Sequence, residues 1–161
     1  MKTTIHLHCG VFVTLLCSAA SPTPAQPFAV VVDPSNPTVN LSSVDLRAMF
    51  TGSVTHWPNQ SRIVLAHREN GSRPNRFLMD RLLKTSWPDY KRRLENLEFM
   101  GQEPVIVRVL ASDAAACKFV FNVPGALALI ESGSIAEPEC RELRLLRIDG
   151  LAPGQEGYRL K

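Results

Sequence analysis

Short apolar runs alternate along the chain with longer segments in which apolar and charged positions are mixed. Five of the runs are rich in aliphatic residues and are bounded by turn residues, a pattern that predicts β-strands. The runs occupy residues 28–33, 62–67, 105–109, 127–130 and 143–148. The first run is apolar at every position before Asp33, which predicts a strand buried on both faces.

The segments between these runs carry the start signals of helices. Serine is favoured at the N-cap because its hydroxyl accepts a hydrogen bond from a backbone N–H of the first turn. The candidate N-caps are Ser42, Ser72, Ser86 and Ser112. The first helix is expected to stop near Gly52, and the second to continue to about Lys84.

Because strands alternate with helices, the pattern predicts an α/β domain with a mainly parallel sheet and flanking helices. Such sheets bind ligands at the carboxyl ends of their strands. The loops after Asp33 and after His67 are therefore the first places to look for a site.

The N-terminus has the order of a secretory signal peptide. Lys2 precedes a short apolar run at 10–17, and small residues and prolines follow. Cleavage after Ala25 is preferred to cleavage after Ala20. A lipoprotein site at Cys17 is the less favoured alternative, because leucine precedes the cysteine where such sites need a small residue.

The remaining chain is long enough for one domain with its own core. We expect a signal peptide at 1–25, a single domain at 26–150 and a loosely held tail at 151–161. No later segment approaches the roughly 20 apolar residues that a membrane-spanning helix needs. The sequence therefore predicts a periplasmic protein that is not inserted in the membrane after signal cleavage.

The charge balance argues against a nucleic-acid or membrane-surface partner. The full sequence has 18 basic and 15 acidic residues, a net charge of +3. The basic cluster formed by Lys84 and residues 91–93 is better interpreted as a solvated helix face.

Two of the four cysteines, Cys9 and Cys17, lie in the signal segment. Cys117 and Cys140 remain and can form a disulfide in an oxidising compartment. The alternative is a buried Cys117 and an exposed thiol at Cys140. Neither cysteine has a metal-ligand neighbour at a useful spacing, so we expect no metal site and no cofactor.

The segment from His67 to Pro74 carries the most chemistry. A strand ends, a polar turn with Gly71 follows, and a helix begins at about Ser72. Free N–H groups at a helix start favour an anion, and Arg68 and Arg73 can form charge-assisted hydrogen bonds with its oxygens. An ordinary capped helix with two solvated arginines is the alternative.

Four elements together resemble phosphate ABC transporter substrate-binding proteins, which have a type II periplasmic binding protein-like fold. They are V-V-V-D-P-S-N-P at 30–37, L-R-A-M-F-T-G-S-V-T-H-W at 46–57, R-E-N-G-S-R at 68–73 and P-G-A-L-A-L-I at 124–130. The resemblance spans residues 28–130 in the order of the family. It implies a single three-layer lobe of that fold.

The resemblance also implies a ligand, partners and a site. The ligand would be phosphate or a similar small oxyanion, and the partner an ABC permease or a membrane sensor. The ligand-binding residues would be Arg68, Gly71, Ser72 and Arg73, with Ser35 and Asn36 from the neighbouring loop.

The chain also departs from the family pattern. Arg73 and Pro74 replace a glycine and a threonine, and Ala128 and Leu129 replace a glycine and a tyrosine. The chain also matches one lobe of a two-lobed binding protein. These departures keep open an alternative function, a periplasmic interaction or signalling module that kept the fold and lost tight ligand capture.

An exported hydrolase is a third and weaker possibility. The sequence has no G-x-S-x-G element, and no spacing places an acid beside His56 or His67. We therefore expect no enzymatic activity.

Overall fold

The computed structural model describes residues 27–161, so the predicted signal peptide lies outside the described residues. The strands are β1 (Phe28–Val32), β2 (Asn40–Leu41), β3 (Val64–Arg68), β4 (Ile106–Leu110), β5 (Ala126–Glu131), β6 (Arg144–Leu145) and β7 (Arg147–Ile148). The helices are α1 (Ser43–Phe50), α2 (Arg73–Phe77), α3 (Trp87–Phe99) and α4 (Asp113–Asn122). A π-helix at Leu78–Leu83 continues α2, and a 3₁₀ helix spans Ser132–Ala136.

Five strands form the central sheet in the order β4-β3-β5-β1-β6. β3 runs parallel to β4 and β5, whereas β1 runs antiparallel to both of its neighbours, β5 and β6. Four strands therefore point the same way, and the expected α/β class with a mostly parallel sheet is confirmed. The reversal of β1 was not predicted, and it decides which loops can share a site.

The run at 143–148 forms two short strands instead of the single predicted one. Leu146 is fully buried, and its N–H donates to the carbonyl of Val30 (2.9 Å). The next residue, Arg147, donates to the carbonyl of Val39 instead (3.0 Å). The chain thus leaves the central sheet at Leu146 and pairs with β2 in a separate two-stranded sheet.

Each face of the central sheet has its own apolar core, which gives the molecule three layers. One core lies under α1, the α2–π-helix segment, α3 and the C-terminal segment, and it contains Leu46, Phe50 and Leu65. The other lies under α4, where small residues such as Ala66 and Ala128 allow close packing. The disulfide left open by the sequence is present between Cys117 and Cys140, with Cα atoms 5.1 Å apart.

The segment at 151–161 is packed against the core, contrary to the expected loose tail. Tyr158 and Leu160 are each only 1% exposed. The carbonyl of Leu160 accepts a hydrogen bond of 2.7 Å from the N–H of Phe28, the first residue of β1. Within residues 27–161, no helix is long and apolar enough to cross a membrane.

Candidate functional site

The loop that leaves β3 combines an open turn with a helix start. Gly71 has φ = +86°, a left-handed conformation that glycine adopts without steric cost. A Cβ atom placed there would have no neighbour within 4 Å in the described part of the chain. Ser72 follows as the N-cap of α2. The backbone at Gly71 is therefore open to a ligand.

Part of this helix start is already satisfied by its own residues. The Ser72 hydroxyl donates to the carbonyl of Glu69 (2.8 Å) and accepts from the N–H of Asn75 (3.3 Å). The N–H of Ser72 also bonds to Glu69, and Pro74 has no N–H to offer. Among the described residues, the N–H groups of Gly71 and Arg73 have no acceptor, so they are the donors that a ligand can use.

Arg68 lies in a buried ion pair. Its guanidinium bonds to the carboxylate of Asp113, and the two side chains are 11% and 8% exposed. Further hydrogen bonds run to the carbonyls of Leu110 (3.3 Å) and Ala111 (2.9 Å). Arg68 therefore joins the ends of β3 and β4 to the start of α4.

Asp113 is the centre of this network. Its Oδ2 accepts the N–H of Glu131 (3.0 Å) and the hydroxyl of Ser134 (2.8 Å), while Oδ1 accepts from Arg68. One buried carboxylate at the start of α4 thus ties β3, β5 and the 3₁₀ helix together at the carboxyl ends of the strands. A buried charge is tolerated when it is paired and hydrogen-bonded in this way.

Arg73 is held less tightly than Arg68. Its guanidinium pairs with Glu131 at 2.6 Å, and its side chain is 47% exposed. The same group lies 5.8 Å from the centre of the Phe28 ring, a distance that permits a cation–π contact. Arg73 therefore reaches the ligand side of the loop, but an internal carboxylate competes for it.

Ser35 and Asn36 lie at the opposite end of the sheet. β1 is antiparallel to β5, so Phe28 pairs with Glu131, and the loop after β1 emerges near the start of β5. Ser35 bonds to Asp33, whose other oxygen accepts the N–H of Gly125 (3.0 Å). The expected neighbouring loop is therefore not part of this site, because the sequence pattern does not reveal strand direction.

Three residues at this edge were not singled out from the sequence as site residues. Asp113 directly follows the predicted N-cap Ser112, and Glu131 directly follows the predicted strand at 127–130. Asn75 is 1% exposed, and its amide donates to the carbonyl of Arg68 (3.2 Å). A polar residue on the core-facing side of a predicted helix is a weak sequence signal of such a hydrogen bond. The partners of Arg68 and Arg73 carry no sequence signal, because they lie far from these arginines along the chain.

His67 precedes Arg68 on β3 and faces the opposite core. The ring is 1% exposed and lies against Phe50, Trp87 and Tyr90. Tyr90 donates its single hydroxyl proton to the carbonyl of Phe50 (2.9 Å). The Tyr90 oxygen can therefore only accept from His67, whose Nε2 carries the proton and donates it (3.0 Å). Burial lowers the pKa of His67 to about 3, and the ring is neutral.

This buried ring makes stability depend on pH. The ordinary pKa of 6.5 applies to the unfolded chain. Below pH 6.5 the unfolded state therefore binds a proton at this ring, whereas the folded state does not. We expect full stability above pH 6.5 and a loss of about 1.4 kcal/mol for each pH unit below it, until the folded pKa is approached.

Urea unfolding at pH 7, 6 and 5 measures this slope. The variant His67→Phe should be nearly flat over the same range, whatever its absolute stability. An equal slope in the wild type and the variant would contradict the assignment to His67.

The described residues contain no group of three or more His, Cys, Asp or Glu side chains that could hold a metal ion. The chemistry of this edge is that of main-chain N–H groups, a hydroxyl and arginines, which suits an anion.

The sequence profile of the PBP superfamily domain matches residues 20–139. The chain belongs to the PBP superfamily. The match covers β1, β3, β4 and β5 of the central sheet, the loop at 69–72 and Cys117, and it ends one residue before Cys140. No curated protein sequence matches this PBP domain significantly.

Solved structures share the fold of this PBP domain. PstS from Borrelia burgdorferi aligns with a TM-score of 0.66 at 15% identity, over 84% of this chain and 54% of its own. An ABC-type phosphate transport receptor from Vibrio cholerae gives 0.64 at 18% identity, over 84% and 53%. A Clostridium perfringens protein with bound phosphate, assigned as a phosphate ABC transporter substrate-binding protein, gives 0.62 at 16% identity, over 80% and 47%.

The chain thus spans about half the length of these solved structures. At sequence identities of 15–18%, the similarity to these structures shows a shared fold alone.

Proposed function

We propose that this protein is a solute-binding module that binds phosphate or a related small oxyanion at the loop 69–73. The observation that carries the proposal is the open turn at Gly71, which leads directly into a helix start where the N–H groups of Gly71 and Arg73 lack internal acceptors. The positive end of the helix dipole and these two N–H groups favour a negative charge. The fold shared with a protein solved with bound phosphate supports the same interpretation.

The structure suggests different roles for the two arginines. Arg73 would bind the oxyanion directly, because it is half exposed and its partner Glu131 can be displaced by a ligand of the same sign. Arg68 would act through Asp113 as a positioning residue that holds the carboxyl edge of the sheet. The hydroxyl of Ser72 can turn from Glu69 to the ligand.

The binding is expected to be weak. Glu131 competes with the ligand for Arg73, and Pro74 removes a donor from the first turn of α2. This edge of the sheet covers one side of an oxyanion, which therefore keeps part of its hydration. These features place the expected affinity for phosphate in the millimolar range.

Calorimetry with inorganic phosphate tests the proposal. Arg73→Gln should weaken binding by about ten-fold, since a charge-assisted hydrogen bond is lost. Glu131→Gln should strengthen binding by about 2–5-fold, because Arg73 loses its internal competitor while the backbone N–H of residue 131 still reaches Asp113.

Arg92→Gln is the matched control, since it removes an exposed arginine of α3 that is also paired with a carboxylate. It should leave phosphate binding unchanged. The absence of heat at millimolar phosphate would overturn the proposal. An equal effect of Arg73→Gln and Arg92→Gln would also do so.

We further propose that the protein works in the periplasm, binds without catalysis, and has an ABC permease or a membrane sensor as its partner. The signal-peptide pattern at 1–25 and the transport proteins that share the fold support this location. Amino-terminal sequencing of the protein recovered from the periplasm tests it: an intact residue 1 would contradict export by signal cleavage.

A further inference from the structure

A second concave surface lies outside the loop 69–73, which is called the phosphate loop below. It is a groove of about 400 Å³ between α1, the π-helix and the C-terminal segment. Phe77 and Leu160 line its base, and we call it the arginine groove after the three cations described next. Its volume lies within the range of small-molecule sites, roughly 300–1,000 Å³.

Three arginines from three distant segments line this groove: Arg47 on α1, Arg81 on the π-helix and Arg159 near the C-terminus. None of the described residues that line it is acidic. Like charges in one concave surface raise the local potential and attract an anion. The fold thus gathers positive charge here although the chain as a whole is nearly balanced.

Most of the donors of these arginines remain available. Arg47 uses one N–H on the carbonyl of Leu83 (3.3 Å), and Arg159 pairs loosely with Asp149 (3.5 Å). Arg81 has no ion pair in the part of the chain that the structure describes. Each guanidinium carries five N–H donors, so several can converge on the oxygens of a carboxylate or a phosphate group.

The π-helix places Leu82 on the groove side of the helix together with Arg81. Its i→i+5 hydrogen bonds widen the turn, so that the residues four and five positions after Phe77, Arg81 and Leu82, both lie on the side of Phe77. Such segments are rare and occur frequently at functional sites. An ordinary α-helix would place Leu82 further round its surface.

Apolar side chains line the groove between the arginines, and we call them its apolar walls. Phe77 is stacked on Phe28 with ring centres 4.5 Å apart, and Leu160 is fixed in the core. Val44 stands on the rim with 73% of its surface exposed. An inorganic ion would meet the arginines but would leave the exposed Val44 and the partly exposed Leu82 in contact with water.

We infer that the arginine groove binds an organic anion, a carboxylate or phosphate monoester that carries an apolar group. The acid group lies among the guanidinium groups of Arg81, Arg47 and Arg159, and the apolar group covers Phe77 and Val44. This site differs from the phosphate loop, because none of residues 69–73 lines the groove.

Titration with phenyl phosphate, compared with inorganic phosphate, tests the inference. We expect phenyl phosphate to bind at least about ten-fold more tightly, since only the ester buries the apolar walls. Arg81→Gln should weaken phenyl phosphate binding by about ten-fold, whereas Arg93→Gln, an exposed arginine of α3 outside the groove, should not.

Amide shifts in ¹⁵N–¹H spectra separate this site from the phosphate loop. Phenyl phosphate should shift the signals of Val44 and Arg81, and its binding should survive Arg73→Gln. Inorganic phosphate, if the proposed function holds, should shift Gly71 and Arg73, and its binding should survive Arg81→Gln. A protein that binds phenyl phosphate and ignores inorganic phosphate would overturn the proposed function alone.

Three results would overturn the arginine groove as a site. They are equal affinity for both compounds, an affinity for phenyl phosphate that Arg81→Gln leaves unchanged, and shifts that phenyl phosphate confines to the phosphate loop.

Discussion

Replacing Asp113 with asparagine should lower the free energy of unfolding by about 3–5 kcal/mol. The change removes the carboxylate but keeps the shape of the side chain, so that the guanidinium of Arg68 retains its charge without a partner. Both side chains are nearly buried, at 11% and 8% exposure, and water cannot replace the lost interaction. The penalty comes mainly from the uncompensated charge, since the arginine remains protonated at any ordinary pH.

Asp89→Asn is the control for this experiment. Asp89 forms an ion pair with Arg92 at 3.1 Å, but the two side chains are 58% and 69% exposed. An exposed pair of this kind contributes less than about 1 kcal/mol. Urea unfolding of both variants at pH 7 gives the comparison, and equal losses would show that the Arg68 pair behaves as a surface pair.

The variant Asp113→Asn also tests the candidate site. Asp113 accepts the N–H of Glu131, and Glu131 holds Arg73, so Asp113 lies behind the guanidinium expected to meet the ligand. A partly folded Asp113→Asn should therefore bind phosphate less well even though Asp113 does not face the ligand. No local sequence feature indicates this arrangement, since Asp113 and Arg68 are 45 positions apart.

Local features of the fold could be predicted from the sequence because their causes are local. All four serines expected as N-caps accept a hydrogen bond from a backbone N–H three residues later. They are Ser42, Ser72, Ser86 and Ser112. Such a bond depends on four consecutive residues, so the printed sequence contains what decides it. The apolar run at the start of β1 is likewise buried at every position.

Strand direction could not be predicted in the same way. A continuous apolar run looks the same whichever way it enters the sheet, and the direction of β1 follows from its pairing with β5, about 100 positions away. That single reversal moves Ser35 and Asn36 to the far end of the sheet. The expectation of one combined site was wrong for this reason.

The position of the candidate site could be predicted from the sequence, but the availability of its arginines to a ligand could not. The strand, the glycine turn and the serine cap at Ser72 are all readable from the sequence, and they lie where expected. The internal partners of Arg68 and Arg73 come from α4 and β5. These two elements lie next to β3 only in the folded molecule. Whether an arginine is available to a ligand is thus a tertiary property.

Gly125 provides the sharpest test of the fold itself. Its φ is +79°, and a Cβ atom added there would lie 2.2 Å from the carbonyl oxygen of Arg62. The backbone cannot yield easily, because Gly125 donates to Asp33 (3.0 Å) and its carbonyl accepts the indole N–H of Trp57 (2.9 Å). Gly125→Ala should therefore cost about 3–5 kcal/mol, the sum of the left-handed conformation and the steric overlap.

Gly154→Ala separates the two contributions. Gly154 has nearly the same backbone angle, φ = +88°, but no described atom lies within 4 Å of an added Cβ. Gly154→Ala should lower the free energy of unfolding by only about 1–2 kcal/mol, which is the conformational contribution alone. Thermal and urea unfolding of both variants measure the difference, which reports the overlap at Gly125. Equal losses would mean that the segments of Asp33, Trp57 and Arg62 do not meet at Gly125 as the structure describes.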